Sequence, residues 1–375
     1  MASTYIQRIP SSAGNRKTFT FSAWIKGQTR NPAGTTGGAL FSCGTHISNG
    51  PLFIIDFLNG QNLRVEDTIA GGSQPINVRT NRVFRDTNAW YHIVVAVDTT
   101  QGTASDRVKI YVNGVQETSL SATTYPGQNI DTSVNNTDIA IVGCRAADST
   151  NKFFDGCMSH IHFTDGYAYA ASAFGSTDST TGEWKINADP TVSYGTNGFW
   201  WLKDSIATTD HSPNSNTFTV ASGTLTKTED CPSNVFATWN PLQATTSASY
   251  TFEAGNTRMS VNDAAVFSLG ATLAAKTGKY YMEMKWVQQG GNGSWGIQPI
   301  NSNVSNHVRT NGVAWDQATS QFYMLGNAVS GSWGGSIGTS DIIQLAMDLD
   351  NGAFYFGKNG TYLNSGSPTS GSSRT

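Results

Sequence analysis

Charge is what this 375-residue sequence has least of: Asp, Glu, Lys and Arg together make up 13% of it, about half the share usual in soluble domains. Acidic residues number 26 and basic residues 23, a net charge of -3. No basic excess is present to hold a nucleic-acid backbone, so nucleic acid is not an expected partner. Long apolar runs are missing too. No stretch approaches the ~20 residues of a membrane helix, so no membrane insertion is expected. The start, Met1 Ala2 Ser3 Thr4 Tyr5 Ile6 Gln7 Arg8, has no apolar core of signal-peptide length. The expectation is a chain made in the cytoplasm that stays soluble, or leaves the cell by a route other than secretion. The four cysteines, Cys43, Cys144, Cys157 and Cys231, form no CxxC pair and stand at no metal-ligand spacing from histidine. Reduced, structural thiols are expected, because a disulfide framework needs an oxidising compartment.

What the sequence has in quantity is glycine, 39 residues, and aromatic rings, 11%, a mixture that points to short strands and many turns. Its length makes two domains the natural expectation, each able to bury a core. Low charge with abundant Gly, Ser and Thr suits extracellular or virion β proteins better than a cytosolic helical enzyme.

Periodicity agrees. In residues 90–98, Tyr91, Ile93, Val95 and Val97 share one face; in residues 107–114, Val108, Ile110 and Val112 do so against polar Arg107, Lys109 and Asn113. Asn113-Gly114 supplies two residues that tolerate positive φ, for a tight turn into Val115 Gln116 Glu117. The pattern returns in residues 342–360, where Ile343, Leu345, Met347 and Leu349 alternate, Asp350 Asn351 Gly352 turns the chain, Phe354 and Phe356 share a face, and Asn359-Gly360 turns it again. Further strands are predicted at 19–26, 39–43, 52–58, 62–66, 138–143 and 158–163 in the first half, and at 279–286, 294–297, 312–315 and 321–325 in the second. Residues 164–175 predict one short helix stopped by Gly175. From 176 to 242 the pattern loosens into Thr, Ser, Asn, Asp and Pro, broken by Phe199 Trp200 Trp201 Leu202, and an ordered connector is expected whose rings pack on a domain. The fold class is all-β: two antiparallel β-sandwich domains, 1–175 and 243–375, with a packed connector at 176–242.

Several stretches carry a family likeness. Residues 19–26, Trp90 Tyr91 His92 Ile93 Val94, Ile110 Tyr111 Val112 Asn113 Gly114, and Phe154 Asp155 Gly156 with residues 158–163 resemble successive strands of the laminin G-like, concanavalin A-like lectin fold. In the second domain, Gly278 Lys279 Tyr280 Tyr281 Met282 Glu283, Ser294 Trp295 Gly296 Ile297 and residues 341–360 resemble a SPRY domain. Between them, His162 Phe163 Thr164 Asp165 Gly166, Gly182 Glu183 Trp184 Lys185, Tyr194 Gly195 Thr196 Asn197 Gly198 Phe199 and Phe236 Ala237 Thr238 Trp239 Asn240 Pro241 Leu242 resemble the joint of these two domain types in structural proteins of tailed bacteriophages. The resemblance implies a non-catalytic virion protein, a tail fibre, appendage or capsid-surface protein, assembled in the host cytoplasm. Its implied partners are other virion proteins and host-surface glycans, and a closed homo-oligomer such as a trimer is expected. SPRY domains continue past the strand that ends at Gly360, so the last strands are expected to be missing or supplied by a partner. The alternative is a secreted or cell-surface carbohydrate-binding adhesion protein.

Catalysis finds less support. Glucanases of the concanavalin A-like fold need two carboxylates on one strand face, whereas Glu66 and Asp67 are adjacent and so point to opposite faces, and Glu283 stands alone in its strand. A glycoside hydrolase is therefore the least favoured alternative, and no catalytic, cofactor-binding or metal residue is assigned. His160 and His162 share a strand face, but two ligands without a third rarely hold a metal, and a polar outer face is the expected role. His46, His92, His211 and His307 stand beside no serine-and-acid pattern. Calcium is the ion the laminin G-like resemblance implies, since such domains often bind it at loop Asp and Asn positions: Asp131, Asn135, Asn136 and Asp138 crowd one loop with oxygens, and turn chemistry accounts for them equally. Trp24, Trp295, Trp315 and Trp333 are candidate sugar platforms, each more at home in a core.

Overall fold

The computed structural model describes residues 4–27, 38–45, 50–58, 61–146, 152–180, 182–202, 206–243, 250–261, 269–288, 293–300, 308–317, 319–331 and 335–368. Strands hold 44% of the chain and helix 4%, and the fold is all-β as the periodicity predicts. By internal contacts it divides into two compact units, residues 1–236 with 252–258, and residues 237–251 with 259–375.

The first unit opens with β1 (Tyr5–Arg8), β2 (Thr18–Gly27), β3 (Ala39–Gly44), β4 (Leu52–Phe57), β5 (Asn62–Thr68), β6 (Ile76–Val83), β7 (Tyr91–Asp98) and β8 (Val108–Val112). It continues with β9 (Val115–Gln116), β10 (Leu120–Thr124), β11 (Ala140–Val142), β12 (Gly156–Asp165), β13 (Gly175–Thr177), β14 (Trp184–Ile186), β15 (Phe199–Trp201) and β16 (Thr219–Ser222). Eight strands form one antiparallel sheet in the order β10-β6-β5-β4-β3-β11-β1-β16, and six form another in the order β15-β12-β2-β7-β8-β9. Alternation decides which side chains meet. Phe19, Phe21, Ala23 and Ile25 of β2 and Ile93, Val95 and Val97 of β7 turn inward, onto Phe41, Phe53, Ile55, Leu63 and Val65 of the other sheet. The ring of Phe41 lies 5.2 Å from Phe21 and 5.6 Å from Phe163, so the two sheets are joined through a run of aromatic contacts. The turn after β8 forms as its sequence dictates: Asn113 has φ 47° and Gly114 φ 82°.

The second face of the six-stranded sheet is buried as well. Thr20, Ser22, Trp24, Lys26, His92, Val94, His162 and Thr164 are all inaccessible, although most are polar. Ala171 and Phe174 close on Val94, with Tyr169, Trp184 and Val192 packed around them. Phe199–Trp201 joins the sheet itself as β15, antiparallel to β12. The predicted helix over 164–175 shrinks to a 3-10 turn at Ala171–Ala173. Threonines on the sheet explain this: the hydroxyls of Thr20 and Thr164 both donate to Tyr167 O at 2.8 Å, and Thr20 Oγ1 accepts from Tyr169 N at 2.7 Å. The backbone groups a helix would use are already bonded to the sheet. Gly175, expected to end that helix, instead opens β13, where a Cβ would strike the Trp184 ring at 2.6 Å. Further along, Lys26 Nζ meets Asp230 Oδ2 at 2.7 Å with both side chains fully buried. Asp230 also accepts from Trp90 Nε1 at 3.0 Å and from Phe236 N at 2.9 Å, which satisfies the carboxylate.

A hairpin of β17 (Tyr250–Glu253) and β18 (Arg258–Val261) follows. The second unit then contains β19 (Lys279–Lys285), β20 (Ser294–Ile297), a short α1 (Val308–Asn311) that the sequence pattern does not predict, β21 (Val313–Asp316), β22 (Gln321–Met324), β23 (Asn327–Val329), β24 (Ile342–Asp348), β25 (Ala353–Lys358) and β26 (Thr361–Tyr362). Two four-stranded sheets result, β19-β24-β25-β26 and β20-β21-β22-β23. Trp295, Trp315, Phe322, Ile343, Leu345 and Phe356 form their shared core. Asn359 and Gly360 make the last turn with φ 49° and 86°.

Candidate functional site

The eight-stranded sheet turns one face to the core and the other outward, and the outward face is divided. Ser42, Ile54, Glu66, Asn77 and Thr124 stand in one cross-strand row, with Asp56, Arg64, Arg79 and Ala122 in the next. Toward β3 and β11 the face is capped. Ser42 Oγ donates to Cys144 O at 2.9 Å and accepts from Ala146 N at 2.7 Å, which lays that stretch over Ala39, Leu52, Ile54 and Ile141 as a small apolar cluster. Toward β10 the face is polar: Thr124 is exposed and Arg64, Asn77 and Arg79 are partly buried.

Charge concentrates on this polar half. Arg64 is held by both oxygens of Asp56, at 2.9 and 2.7 Å, and by Glu66 at 2.6 Å. Burial works against the guanidinium charge, but the bonds and fields of these two carboxylates outweigh it and raise its pKa. Lys152 lies within the field of the same groups. Burial first, then the neighbouring Arg145, hold its ammonium below the ordinary lysine range, while Asp56 and Glu66 pull the other way. Among the described residues Arg79, Arg145 and Lys152 have no ion-pair partner, and Asn77 Oδ1, Arg79 Nε and Arg145 Nε are buried polar atoms without a hydrogen bond. Two rows of polar side chains thus offer donors and acceptors on a rigid sheet. Apart from Glu66, weighed there as a catalytic carboxylate, none of these residues stood out in the sequence; the signal was the alternation of Arg64 with Glu66 and of Asn77 with Arg79, which becomes a cluster only through strand register.

A groove of ≈ 230 Å³ opens between the two sheets where β9 and β10 form their edges, with Val78, Val108, Ile110 and Leu120 along it. Its charges are internally matched, Glu117 to Arg82 at 2.6 Å and Lys109 to Asp106 at 3.1 Å.

Of the residues weighed from the sequence, Glu66 lies on the polar sheet face and the other described ones fall elsewhere. Glu66 and Asp67 do face opposite ways: Glu66 binds Arg64, while Asp67 turns into the core and accepts from Ser133 N at 3.3 and 3.2 Å. Burial pushes the Asp67 carboxyl up to about 6, against the pull of the Ser133 bonds. His160 and His162 lie on the outer face of the six-stranded sheet, but a register shift separates them, His160 having φ 46°, and the face is buried. His162 Nδ1 is 2.9 Å from the Tyr194 hydroxyl and His160 Nδ1 is 2.8 Å from Ser159 Oγ. The oxygen-rich loop is tied inward: Asn135 Nδ2 donates to Asn15 O and Asp165 Oδ1, Asn136 Nδ2 donates to Asp138 Oδ2, and Asp131 lies 4.0 Å from Arg16. Among the described residues no three His, Cys, Asp or Glu side chains are grouped to hold a metal ion. Trp24, Trp295 and Trp315 are core residues; Trp333, with His46 and His307, lies outside the described residues. Cys43 and Cys144 are buried free thiols, and Cys157 and Cys231 are half-buried ones.

Residues 2–171 match the family model of the concanavalin A-like lectin/glucanases superfamily, Laminin_G_3. That stretch, under half of the chain, is similar to laminin G-like domains. Solved structures with a partial likeness include the native heptameric SAP-like pentraxin of Limulus polyphemus, at 16% identity and a TM-score of 0.36, covering 59% of this chain and 87% of that one. Domain 4 of the arabinanase AbnA from Geobacillus stearothermophilus, in complex with arabinotriose, is 17% identical with a TM-score of 0.29 over 42% of this chain and 65% of that one. The CBM40 of the Ruminococcus gnavus IT-sialidase is 12% identical with a TM-score of 0.29, over 44% and 94%. A search of curated proteins found no match.

Proposed function

We propose that this chain is a non-catalytic glycan-binding protein of a virion surface, and that its glycan lies on the polar half of the eight-stranded sheet. The observation that carries the glycan site is the pair of adjacent rows Glu66-Asn77-Thr124 and Arg64-Arg79, on a laminin G-like sandwich. Sugars are recognised through many hydroxyl bonds to fixed amide, guanidinium and carboxylate groups, and a sheet holds such groups at set spacings. Binding rather than hydrolysis is favoured because both oxygens of Asp56 and one of Glu66 are spent on one guanidinium, so these two carboxylates are held as ion-pair partners and not as the acid and nucleophile of a glycosidase. The virion setting rests on the order of the joint motifs between 162 and 242, the SPRY-like reading of the second unit on residues 278–283, 294–297 and 341–360, and the homo-oligomer, with a trimer favoured, on the closed symmetry usual for fibre proteins.

The test is a glycan array probed with the full chain and with an Asn77→Ala/Thr124→Ala double variant. Loss of two hydroxyl contacts should weaken binding at least about tenfold. Equal binding by both proteins refutes the location, and failure to bind any glycan refutes the function. Mass spectrometry of purified particles tests the virion setting: absence of the chain from them refutes it.

A further inference from the structure

We infer that the ligand of this sheet face carries an oxyanion, a carboxylate or sulfate on a saccharide, and that Arg79, Arg145 and Lys152 recognise it; the inference rests on the glycan-binding function proposed above. Arg64 and Arg79 are cross-strand partners, Lys152 O accepts from Ala39 N beside Asp56, and Arg145 lies in the stretch that Ser42 ties to the same face, so four cations stand on one sheet face with, among the described residues, Asp56 and Glu66 as the carboxylates between them. The surplus is positive on a chain whose net charge is -3, so the patch has the opposite sign to the molecule that carries it.

The division of labour within the patch is the stronger argument. Arg64 has spent its guanidinium on Asp56 and Glu66, so it is a fixed platform. Arg79 is its cross-strand neighbour, and Lys152 lies in the field of Arg64 and Arg145. None of Arg79, Arg145 and Lys152 forms an ion pair with a described residue. Like charges held together at partly buried positions repel, and a fold that needed only hydroxyl donors for a neutral sugar would gain from amides there instead. Burial lowers the Lys152 pKa first, and repulsion from Arg145 and Arg64 adds to it against the pull of Asp56 and Glu66. An oxyanion placed among the three would relieve it and be held by charge-assisted bonds, shorter and stronger than neutral ones. A nucleic-acid backbone is disfavoured, since three cations on an acidic chain give no extended basic track.

The experiment uses the full chain with two matched pairs of polymers, polygalacturonate against its fully methyl-esterified form and dextran sulfate against dextran, with oligo-dT as a third probe. Binding is followed by biolayer interferometry. At least one anionic polymer should bind about tenfold or more tighter than its neutral twin, and salt raised from about 0.05 to 0.5 M should erase most of the difference. Which pair responds separates carboxylate from sulfate. The Arg79→Gln/Arg145→Gln/Lys152→Gln variant should lose the preference, while Lys152→Arg, and Arg82→Gln at the far groove, should keep it. Because the matched polymers are compared on the unaltered protein, a poorly folding triple variant does not spoil the test. Equal binding to the two members of each pair, in both pairs, overturns the charge inference and leaves glycan binding standing. No binding to either anionic polymer overturns it too, with glycan binding then judged by the array, and oligo-dT bound as tightly as the polysaccharides overturns the saccharide assignment.

Discussion

Acid should weaken the first sandwich through His92, by an amount the geometry fixes. The indole Nε1 of Trp184, which can only donate, gives its proton to His92 Nδ1 at 3.0 Å. The proton of the imidazole is therefore on Nε2, facing Ser22 Oγ at 2.9 Å. The ring is fully buried, stacked 4.9 Å from Trp24 and 6.0 Å from Trp184. A second proton has to displace the indole and place a charge where water does not reach. Burial accordingly holds this imidazole down to about 3, against an ordinary 6.5. Between those two values the unfolded chain binds a proton that the folded one refuses, so the contribution is complete above pH 6.5 and is lost as pH falls below it. Each pH unit costs about 1.4 kcal/mol, which comes to about 3 kcal/mol at a pH of about 4.5 and about 5 kcal/mol near pH 3. That is a large share of the ~5–15 kcal/mol that holds a domain folded. His162 is lowered in the same direction, by burial first and then by the nearby histidines, and adds to the loss.

The measurement is unfolding free energy from urea-dependent hydrogen exchange of the β2 and β7 amides, at a pH of about 7 and of about 4.5, in the parent chain and in His92→Gln. Glutamine can accept from Trp184 and donate to Ser22 but has no proton to gain, so the stability difference between the two proteins should shift by about 3 kcal/mol between the two conditions, in favour of the variant in acid. A difference that stays constant to within about 0.5 kcal/mol refutes the argument.

Asp67 should act in the opposite sense: its folded pKa of about 6 lies above the ordinary 3.8, so its contribution falls as pH rises from 3.8 to 6. Asp67→Asn should therefore stabilise the protein at neutral pH, by up to about 3 kcal/mol, and flatten that part of the thermal-melting profile. Asp230→Asn leaves Lys26 buried without its counter-charge and should cost about 3–5 kcal/mol, whereas Lys26→Met with Asp230→Leu should recover most of it in the same melting assay. Under native conditions iodoacetamide should label Cys157 and Cys231, which are half-buried, well before Cys43, whose thiol burial pushes up to about 12. Peptide mass spectrometry reads the order, and early labelling of Cys43 would contradict its placement in the core.

The sequence by itself determined where most strands run, which residues face the core and where several hairpins turn. These are local properties: alternation at period two places Phe19, Phe21, Ile93 and Val95 on one side of the backbone, and the positive φ of Asn113-Gly114 and Asn359-Gly360 belongs to those residue types wherever they occur. What covers a sheet is not local. Thr20, Ser22 and Lys26 look like a solvent face, yet Tyr167, His92 and Asp230 satisfy them from 147, 70 and 204 residues away, and the tendency of 164–175 to coil gave way to bonds with that face. The candidate site has the same character. Asp56, Arg64, Arg79, Arg145 and Lys152 are ordinary scattered charges in the sequence, and only the register of β4, β5 and β6, with the return of the chain over β3, brings them together. Side-chain pattern is written residue by residue, whereas cover and register are set by which distant segments can close together with every buried polar group paired, and that is decided by the tertiary fold.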